Sequence, residues 1–140
     1  MGDLLQAGPA LVGNGRVVIR EGEDREGFAA GNAQFDSDIT RGRHPRAALG
    51  MDAQRLIAVA SEGRAPGEAG LTLAELASLM TGLGAEEAIN LDGGGSTSLV
   101  VEGRLVNRPC EAEGVAIPGG RPLSTALAFV ARSQRSRAAA

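Results

Sequence analysis

One segment organises this 140-residue sequence: Ala88-Ile89-Asn90-Leu91-Asp92-Gly93-Gly94-Gly95-Ser96-Thr97. Its apolar start is typical of a buried strand, which would carry an amide and a carboxylate to three consecutive glycines. Three glycines in a row are costly to order, because glycine loses the most backbone freedom on folding. Polar groups around such a turn favour a ligand that approaches the backbone closely, although Asp before glycine is also a common turn sequence. The segment therefore predicts a strand and a turn, and leaves a structural turn and a binding site both open.

Strand patterns lie on both sides of this segment. Residues 10–12 and 16–19 flank Gly13-Asn14-Gly15 and predict a hairpin, and residues 47–51 and 56–60 predict a second one. Further strands are expected at residues 98–101, 105–106 and 124–131, and loops at residues 20–45, 62–70 and 109–120, the first of these with a short strand.

One amphipathic helix is predicted, at about residues 72–83. Thr72 and Glu75 have the spacing of a capping box, apolar residues then recur with helical periodicity, and Gly84 is well placed to end the helix. Because strands dominate and one helix is inserted among them, we expect an α+β fold with a mixed or antiparallel sheet.

Length and composition fit one domain, which we expect to cover residues 1–131, followed by a flexible basic tail at residues 132–140. A net charge of −3 and an aromatic content of 2% argue against nucleic-acid binding. We find neither a signal peptide nor an apolar stretch long enough for membrane insertion. The sequence as written is therefore expected in the cytoplasm, or outside it if the true start lies upstream. The single cysteine, Cys110, excludes an intrachain disulfide and a cysteine-based metal cluster.

Polar residues collect at the ends of the predicted strands, which is a usual place for a binding site. They are Glu62, Arg64, Asn90, Asp92, Ser96, Thr97, Asn107, Arg108 and Arg121, and Arg46 comes directly before the strand expected at residues 47–51. Arginines offer planar, bidentate donors to phosphate or carboxylate, and successive amides of a glycine-rich turn form an anion-binding nest. Glu62 and Asp92 offer a pair of carboxylates for acid–base or nucleophilic chemistry.

Competing interpretations have weight. The glycine turn lacks the lysine of a P-loop, the G-x-G-x-x-G spacing and the last glycine of a nucleophile elbow. Glu62 and the arginines are about as often solvated loop charges as site residues. His44, beside a proline, is more often a surface loop residue than a catalytic base, and Cys110 is expected to be an incidental thiol. We predict no cofactor and no metal, although Asp92, Glu62 and Asn90 carry oxygens that Ca²⁺ or Mg²⁺ accepts.

Several segments, in order, resemble the phosphodiester glycosidase family. They are residues 88–97, then Val106-Asn107-Arg108-Pro109 and Arg121-Pro122-Leu123-Ser124-Thr125-Ala126-Leu127, with further similarity at residues 8–12, 43–46 and 70–76. The best-known member of that family is N-acetylglucosamine-1-phosphodiester α-N-acetylglucosaminidase, and bacterial relatives are often described as exopolysaccharide-biosynthesis proteins. The similarity corresponds to the C-terminal part of the family's domain, so we expect the family's N-terminal part to be missing here.

The resemblance implies hydrolysis of a sugar-1-phosphodiester on its glycosidic side, with a small-molecule or glycan sugar phosphate as the substrate. It favours Asp92 and Glu62 as the catalytic carboxylates and Arg64 and Arg46 as the phosphate ligands. Asn90, Ser96 and Thr97 would orient sugar hydroxyls above a floor formed by Gly93, Gly94 and Gly95, and residues 62–64 and 107–109 would form the walls.

This chain departs from the usual family pattern at Glu62, Ala47 and Cys110, where Asp, Thr and Ser are common. Two alternatives stay open: a non-catalytic remnant that binds anionic glycans or a partner chain, and a fragment that does not fold alone.

Overall fold

A computed structural model describes residues 6–20, 26–28 and 41–130. The strands are β1 (Ala10–Gly13), β2 (Arg16–Val17), β3 (Arg46–Met51), β4 (Leu56–Ser61), β5 (Glu87–Asn90), β6 (Val100–Val101) and β7 (Arg104–Leu105), and the helix is α1 (Leu73–Gly82). Five strands form one sheet in the order β2-β1-β5-β3-β4, while β6 and β7 form a separate two-stranded ribbon. All pairings between these strands are antiparallel, so the predicted α+β class is confirmed.

Both predicted hairpins form. In the first, Gly13 pairs with Arg16, so the loop is only Asn14-Gly15 and is one residue shorter than predicted. Asn14 and Gly15 have φ angles of 51° and 70°, which is the type I′ geometry that suits a right-twisted hairpin. In the second, β3 pairs with β4 from Arg46 opposite Ser61 to Met51 opposite Leu56.

The helix α1 covers one face of the sheet and closes the core. Thr72 and Glu75 make both hydrogen bonds of the capping box, as predicted. Gly50 on β3 lets the helix approach, because a Cβ there would lie 2.6 Å from Cε of Met80. The buried core side chains are Leu11, Val12, Ala48, Leu73, Leu76, Ala77, Met80, Ala85 and Ala88.

The predicted strand at residues 124–131 is wrong over its described part. Residues 121–130 are exposed throughout and form no strand. Their apolar pattern suits a strand, but a strand also needs a neighbouring edge, and none of the described strands pairs with them. The loop at residues 109–120 contains a short 3₁₀ turn, Ala112–Gly114, and a bridge between Cys110 and Ala116.

Some predictions fall on other parts of the chain. Residue 131, the tail at residues 132–140 and most of the loop at residues 20–45 lie outside the described residues. The domain boundaries stay predictions. In the described ranges, no helix has the length and apolarity needed to cross a membrane.

Candidate active site

Residues 44–46 form a backbone platform between two loops. His44 exchanges two backbone hydrogen bonds with Leu71, of 3.2 and 3.1 Å, and the Pro45 carbonyl accepts the Gly94 N–H at 2.9 Å. The approach is so close that a Cβ at Gly70 would lie 2.4 Å from the His44 oxygen, and one at Gly93 would lie 2.8 Å from the Pro45 oxygen. These two glycines are therefore required by backbone packing.

The glycine turn is a 3₁₀ turn, Gly94–Ser96, that uses most of its own amides. Gly93 N–H donates to Oδ1 of Asp92 at 2.9 Å and Gly94 N–H donates to Pro45. Ser96 and Thr97 donate to the Gly93 and Gly94 carbonyls, each at 3.1 Å. Four of the five amides from Gly93 to Thr97 are thus engaged within the protein. Positive charge at this turn comes from side chains, and the turn does not present the row of free amides of an anion nest.

Arg64 supplies that charge. Its Nη1 would lie 3.0 Å from a Cβ on Gly94, so the guanidinium packs directly against the turn where no side chain intervenes. Arg64 adopts a φ of 60°, which is unusual for a residue other than glycine. Its carbonyl accepts a hydrogen bond from the Cys110 thiol at 3.6 Å. Backbone strain held in place by neighbours is common at functional sites.

His44 lies on the other side of the Arg64 guanidinium. Nε and Nη2 of Arg64 approach Nδ1 of His44 at 3.3 and 3.0 Å, and Nε2 of His44 lies 2.8 Å from the Arg41 carbonyl. These partners assign the neutral tautomer, with Nε2–H as a donor and Nδ1 as an acceptor. Burial is the largest influence on the pKa of His44 and lowers it; the hydrogen bond to the Arg41 carbonyl raises it, and the Arg46 charge, the smallest of the three, lowers it again. His44 is thus a half-buried contact of the site.

Arg46 lies behind the turn with 2% of its surface exposed. Its Nε donates to the Leu71 carbonyl at 3.1 Å and its Nη2 donates to the Gly42 carbonyl at 3.2 Å. Burial lowers the pKa of Arg46 to about 10, so the group is still charged at neutral pH. Its place beneath Gly93 suits a supporting role, and its contact with phosphate stays a prediction.

The two predicted carboxylates have different settings. Glu62 accepts the Arg108 N–H at 2.7 Å and lies 3.3 Å from Nη2 of the same residue, which also pairs with Glu68. Asp92 is exposed at the turn and binds the Gly93 N–H. Glu62 is therefore fixed by an ion pair, and Asp92 faces solvent.

One acidic residue of the site was missed from the sequence. A Cβ on Gly95 would lie 2.5 Å from Oε1 of Glu111, so that carboxylate covers the turn. Arg121 donates to Glu111 at 2.8 Å through Nη1 and to Oγ of Ser96 through Nη2. Glu111 belongs to an irregular loop without a motif, and only its partnership with Arg121 marks it.

The side-chain amides of Asn90 and Asn107 form hydrogen bonds with backbone groups. Nδ2 of Asn90 donates to the Gly8 carbonyl at 3.1 Å. Asn107 accepts the Leu99 N–H at 2.7 Å and donates to the Thr97 carbonyl at 2.8 Å. Oδ1 of Asn90 and Oγ1 of Thr97 are buried and have no hydrogen-bond partner among the described residues. The predicted contacts of Asn90 and Thr97 with a sugar stay untested.

The structure brings most of the predicted residues together around the turn. Arg64, Ser96 and Arg121 contact it directly or belong to it, and Glu62 joins the loops at residues 62–64 and 107–109 through Arg108. In the described ranges, no group of three or more His, Cys, Asp or Glu side chains has an arrangement suited to a metal ion.

The chain is similar to proteins of one known family. A model of the phosphodiester glycosidase family matches residues 2–130. The SPbeta prophage-derived uncharacterized protein YomE of Bacillus subtilis (strain 168) is 36% identical over 66 residues, which are 46% of this chain and 10% of that protein.

Two solved structures share the fold. A hypothetical protein from Synechocystis is 33% identical with a TM-score of 0.54, over 79% of this chain and 19% of that one. The catalytic domain of zebrafish N-acetylglucosamine-1-phosphodiester alpha-N-acetylglucosaminidase, auto-inhibited by pro-peptide, is 25% identical with a TM-score of 0.54, over 71% of this chain and 33% of that one. This chain spans a third or less of the length of each of these three proteins.

Proposed function

This chain belongs to the phosphodiester glycosidase family, and we propose that it forms the phosphate side of a site that hydrolyses the glycosidic bond of a sugar-1-phosphodiester. The substrate would be a sugar phosphate of glycan or envelope polysaccharide metabolism. The observation that carries the proposal is the Arg64 guanidinium packed against Gly94, 3.0 Å from the position of a Cβ. A positively charged side chain that is carried on a strained backbone and packed against Gly94 suits an anionic ligand that approaches the backbone there.

A phosphodiester fits this arrangement better than a neutral sugar does. The planar guanidinium of Arg64 matches the two non-bridging oxygens of the diester. Arg121 brings a second guanidinium to the turn at Ser96. Both cations would face the phosphate as it leaves, when its negative charge grows.

The leaving group determines what the carboxylates have to do. Cleavage breaks the bond between the anomeric carbon and the bridging oxygen, whose electron pair departs with the phosphate monoester, while water supplies the new hydroxyl of the sugar. A phosphate monoester is a weak base, so stabilisation by Arg64 replaces much of the need for a proton donor. The carboxylate that faces the anomeric carbon then acts as the nucleophile or the base. We assign that role to Asp92, whose exposure at the turn supports the assignment, with Glu62 as its partner.

The test is release of sugar by the full chain from the methyl diester of N-acetylglucosamine 1-phosphate. The native chain is expected to release N-acetylglucosamine and methyl phosphate. Asp92→Asn is expected to reduce the rate by about 100-fold or more, the range for loss of a positioned acid or base. Glu86→Gln is the matched control, because Glu86 is an exposed carboxylate next to β5.

Each other outcome has a definite meaning. Binding of the diester without release of sugar by the native chain would favour the non-catalytic alternative. Equal rates for the native chain and Asp92→Asn would reject the role of Asp92. Neither binding nor release would reject the proposed function.

A further inference from the structure

His44 is the only histidine of the chain, and it lies between a backbone carbonyl and a candidate phosphate ligand. Nε2 is 2.8 Å from the Arg41 carbonyl, while Nδ1 is 3.0 Å from Nη2 and 3.3 Å from Nε of Arg64. The imidazole therefore connects the loop before β3 to the guanidinium at the glycine turn. Backbone pairing of His44 with Leu71 fixes the position from which the ring extends.

We propose that His44 is a positioning residue whose neutral imidazole holds the Arg64 guanidinium against the Gly94 turn, so that protonation of His44 releases Arg64 and weakens binding of a phosphodiester. The identity of the ligand in this inference, a phosphodiester, rests on the proposed function. The coupling between the two side chains does not, because it is present without a ligand.

The physical basis is the change of role at Nδ1. In the neutral ring Nδ1 is a lone-pair acceptor for the Arg64 donors, whereas in the imidazolium it carries a proton and is itself a donor. Two charged groups of the described residues act on the His44 ring: Arg64, which contacts Nδ1 directly, and Arg46 on β3, whose charge lowers the pKa of His44. Arg43, the preceding residue, is paired with Glu75 on α1. Protonation would therefore add a positive charge beside Arg64 and Arg46, where repulsion opposes it.

The direction of the pH effect follows from this environment. Burial and the Arg46 charge lower the pKa of His44 below its usual value of 6.5, so the ring is neutral at pH 7. Phosphodiester binding is therefore expected to be constant above neutral pH and to fall as the pH decreases through the lowered pKa of His44. A diester keeps its single negative charge across this range, so the ligand does not contribute to the change.

The first test needs no ligand. Because the chain has one histidine, a long-range ¹H–¹⁵N spectrum of the full chain reports its tautomer and its pKa without assignment. We expect the Nε2–H tautomer at pH 7 and a rise of the His44 pKa in Arg64→Ala, which removes a donor to the neutral ring. An Nδ1–H tautomer, or an unchanged pKa in Arg64→Ala, would overturn the inference.

The second test measures binding of the methyl diester of N-acetylglucosamine 1-phosphate between pH 5 and 8. His44→Asn keeps an acceptor near the position of Nδ1 and does not titrate, so it is expected to bind at pH 7 within about threefold of the native chain and to lose the fall at low pH. His44→Ala removes the acceptor and is expected to bind about tenfold more weakly at pH 7, the loss of about one hydrogen bond to a charged group.

The two tests separate the inference from the proposed function. If the native chain binds no diester at any pH, the proposed function fails, and the tautomer and the Arg64→Ala pKa then show whether the His44–Arg64 coupling exists. If the native chain binds the diester but His44→Asn keeps the native pH profile, the inference alone fails. If His44→Ala is unfolded, the pH profile of diester binding by His44→Asn alone decides whether the inference holds.

Discussion

The sheet with its helix and the segment after the glycine turn are held in place by different interactions. Leu11, Leu76 and Met80 are fully buried between α1 and the sheet. After the turn, Pro109 and Cys110 are buried, but many of the large apolar side chains are exposed, such as Val106 at 56% and Phe129 at 60%. The segment after the turn is tied to the rest by polar contacts, such as those of Arg108 with Glu62 and Glu68.

This difference explains where the candidate site lies. In the first region, backbone hydrogen bonds fix the platform at residues 44–46 and the start of the turn. The later segment delivers polar side chains onto that backbone, among them Arg121 and Glu111. The site thus forms at the junction of a region stabilised by packing and a region stabilised by hydrogen bonds and ion pairs. Ion pairs between exposed groups are weak and sensitive to salt, so the segment after the turn is easier to detach than the helix is from the sheet.

The largest expected effect is a difference in stability between variants of the two regions. Leu76→Ala removes a fully buried side chain and is expected to lower the free energy of unfolding by about 2–5 kcal/mol. Leu123→Ala is the matched control, because Leu123 is 41% exposed and its loss is expected to change stability by no more than about 0.5 kcal/mol. Urea unfolding of both variants checks this prediction. Equal losses would show that the segment after the turn has a core of its own.

A smaller difference in stability, between two glycine variants, tests how the platform is held. Gly67 and Gly70 have similar φ angles of 82° and 87°, but a Cβ on Gly67 meets nothing within 4 Å, whereas one on Gly70 would lie 2.4 Å from the His44 oxygen. Gly67→Ala should therefore cost only the left-handed backbone strain, about 1–2 kcal/mol. Gly70→Ala should add an overpacking cost of about 1–3 kcal/mol and shift the His44 resonances. Indistinguishable unfolding curves for the two variants would contradict the close approach of Gly70 to His44.

Local features of the fold were predictable from the sequence, because each depends on residues near one another in the chain. The capping box of Thr72 and Glu75 and the turn at Asn14 and Gly15 are of this kind. The strand predicted at residues 124–131 is wrong over residues 124–130, which the structure describes, for the opposite reason, since pairing depends on an edge elsewhere in the chain.

In the candidate site, too, local features were predictable from the sequence and long-range contacts were not. The residue types at the turn were visible in the sequence, but their contacts were not. His44 and Arg64 are 20 residues apart, and Glu111 reaches Gly95 from a loop without a motif. The free amides expected of the glycine turn are mostly absent, because Asp92 and the carbonyls of Gly93 and Gly94 take three of them and the distant Pro45 carbonyl takes the Gly94 N–H. Long-range contacts of this kind are set by the fold as a whole.

The decisive measurement compares how the native chain and Arg64→Ala bind a charged and a neutral ligand at pH 7. The ligands are the methyl diester of N-acetylglucosamine 1-phosphate and the uncharged methyl glycoside of N-acetylglucosamine. The Kd of the diester is expected to rise about 10- to 100-fold in Arg64→Ala, the loss of hydrogen bonds to a charged group, while the affinity for the glycoside stays the same. Equal affinity of the native chain and Arg64→Ala for the diester would show that the guanidinium against Gly94 does not bind the phosphate.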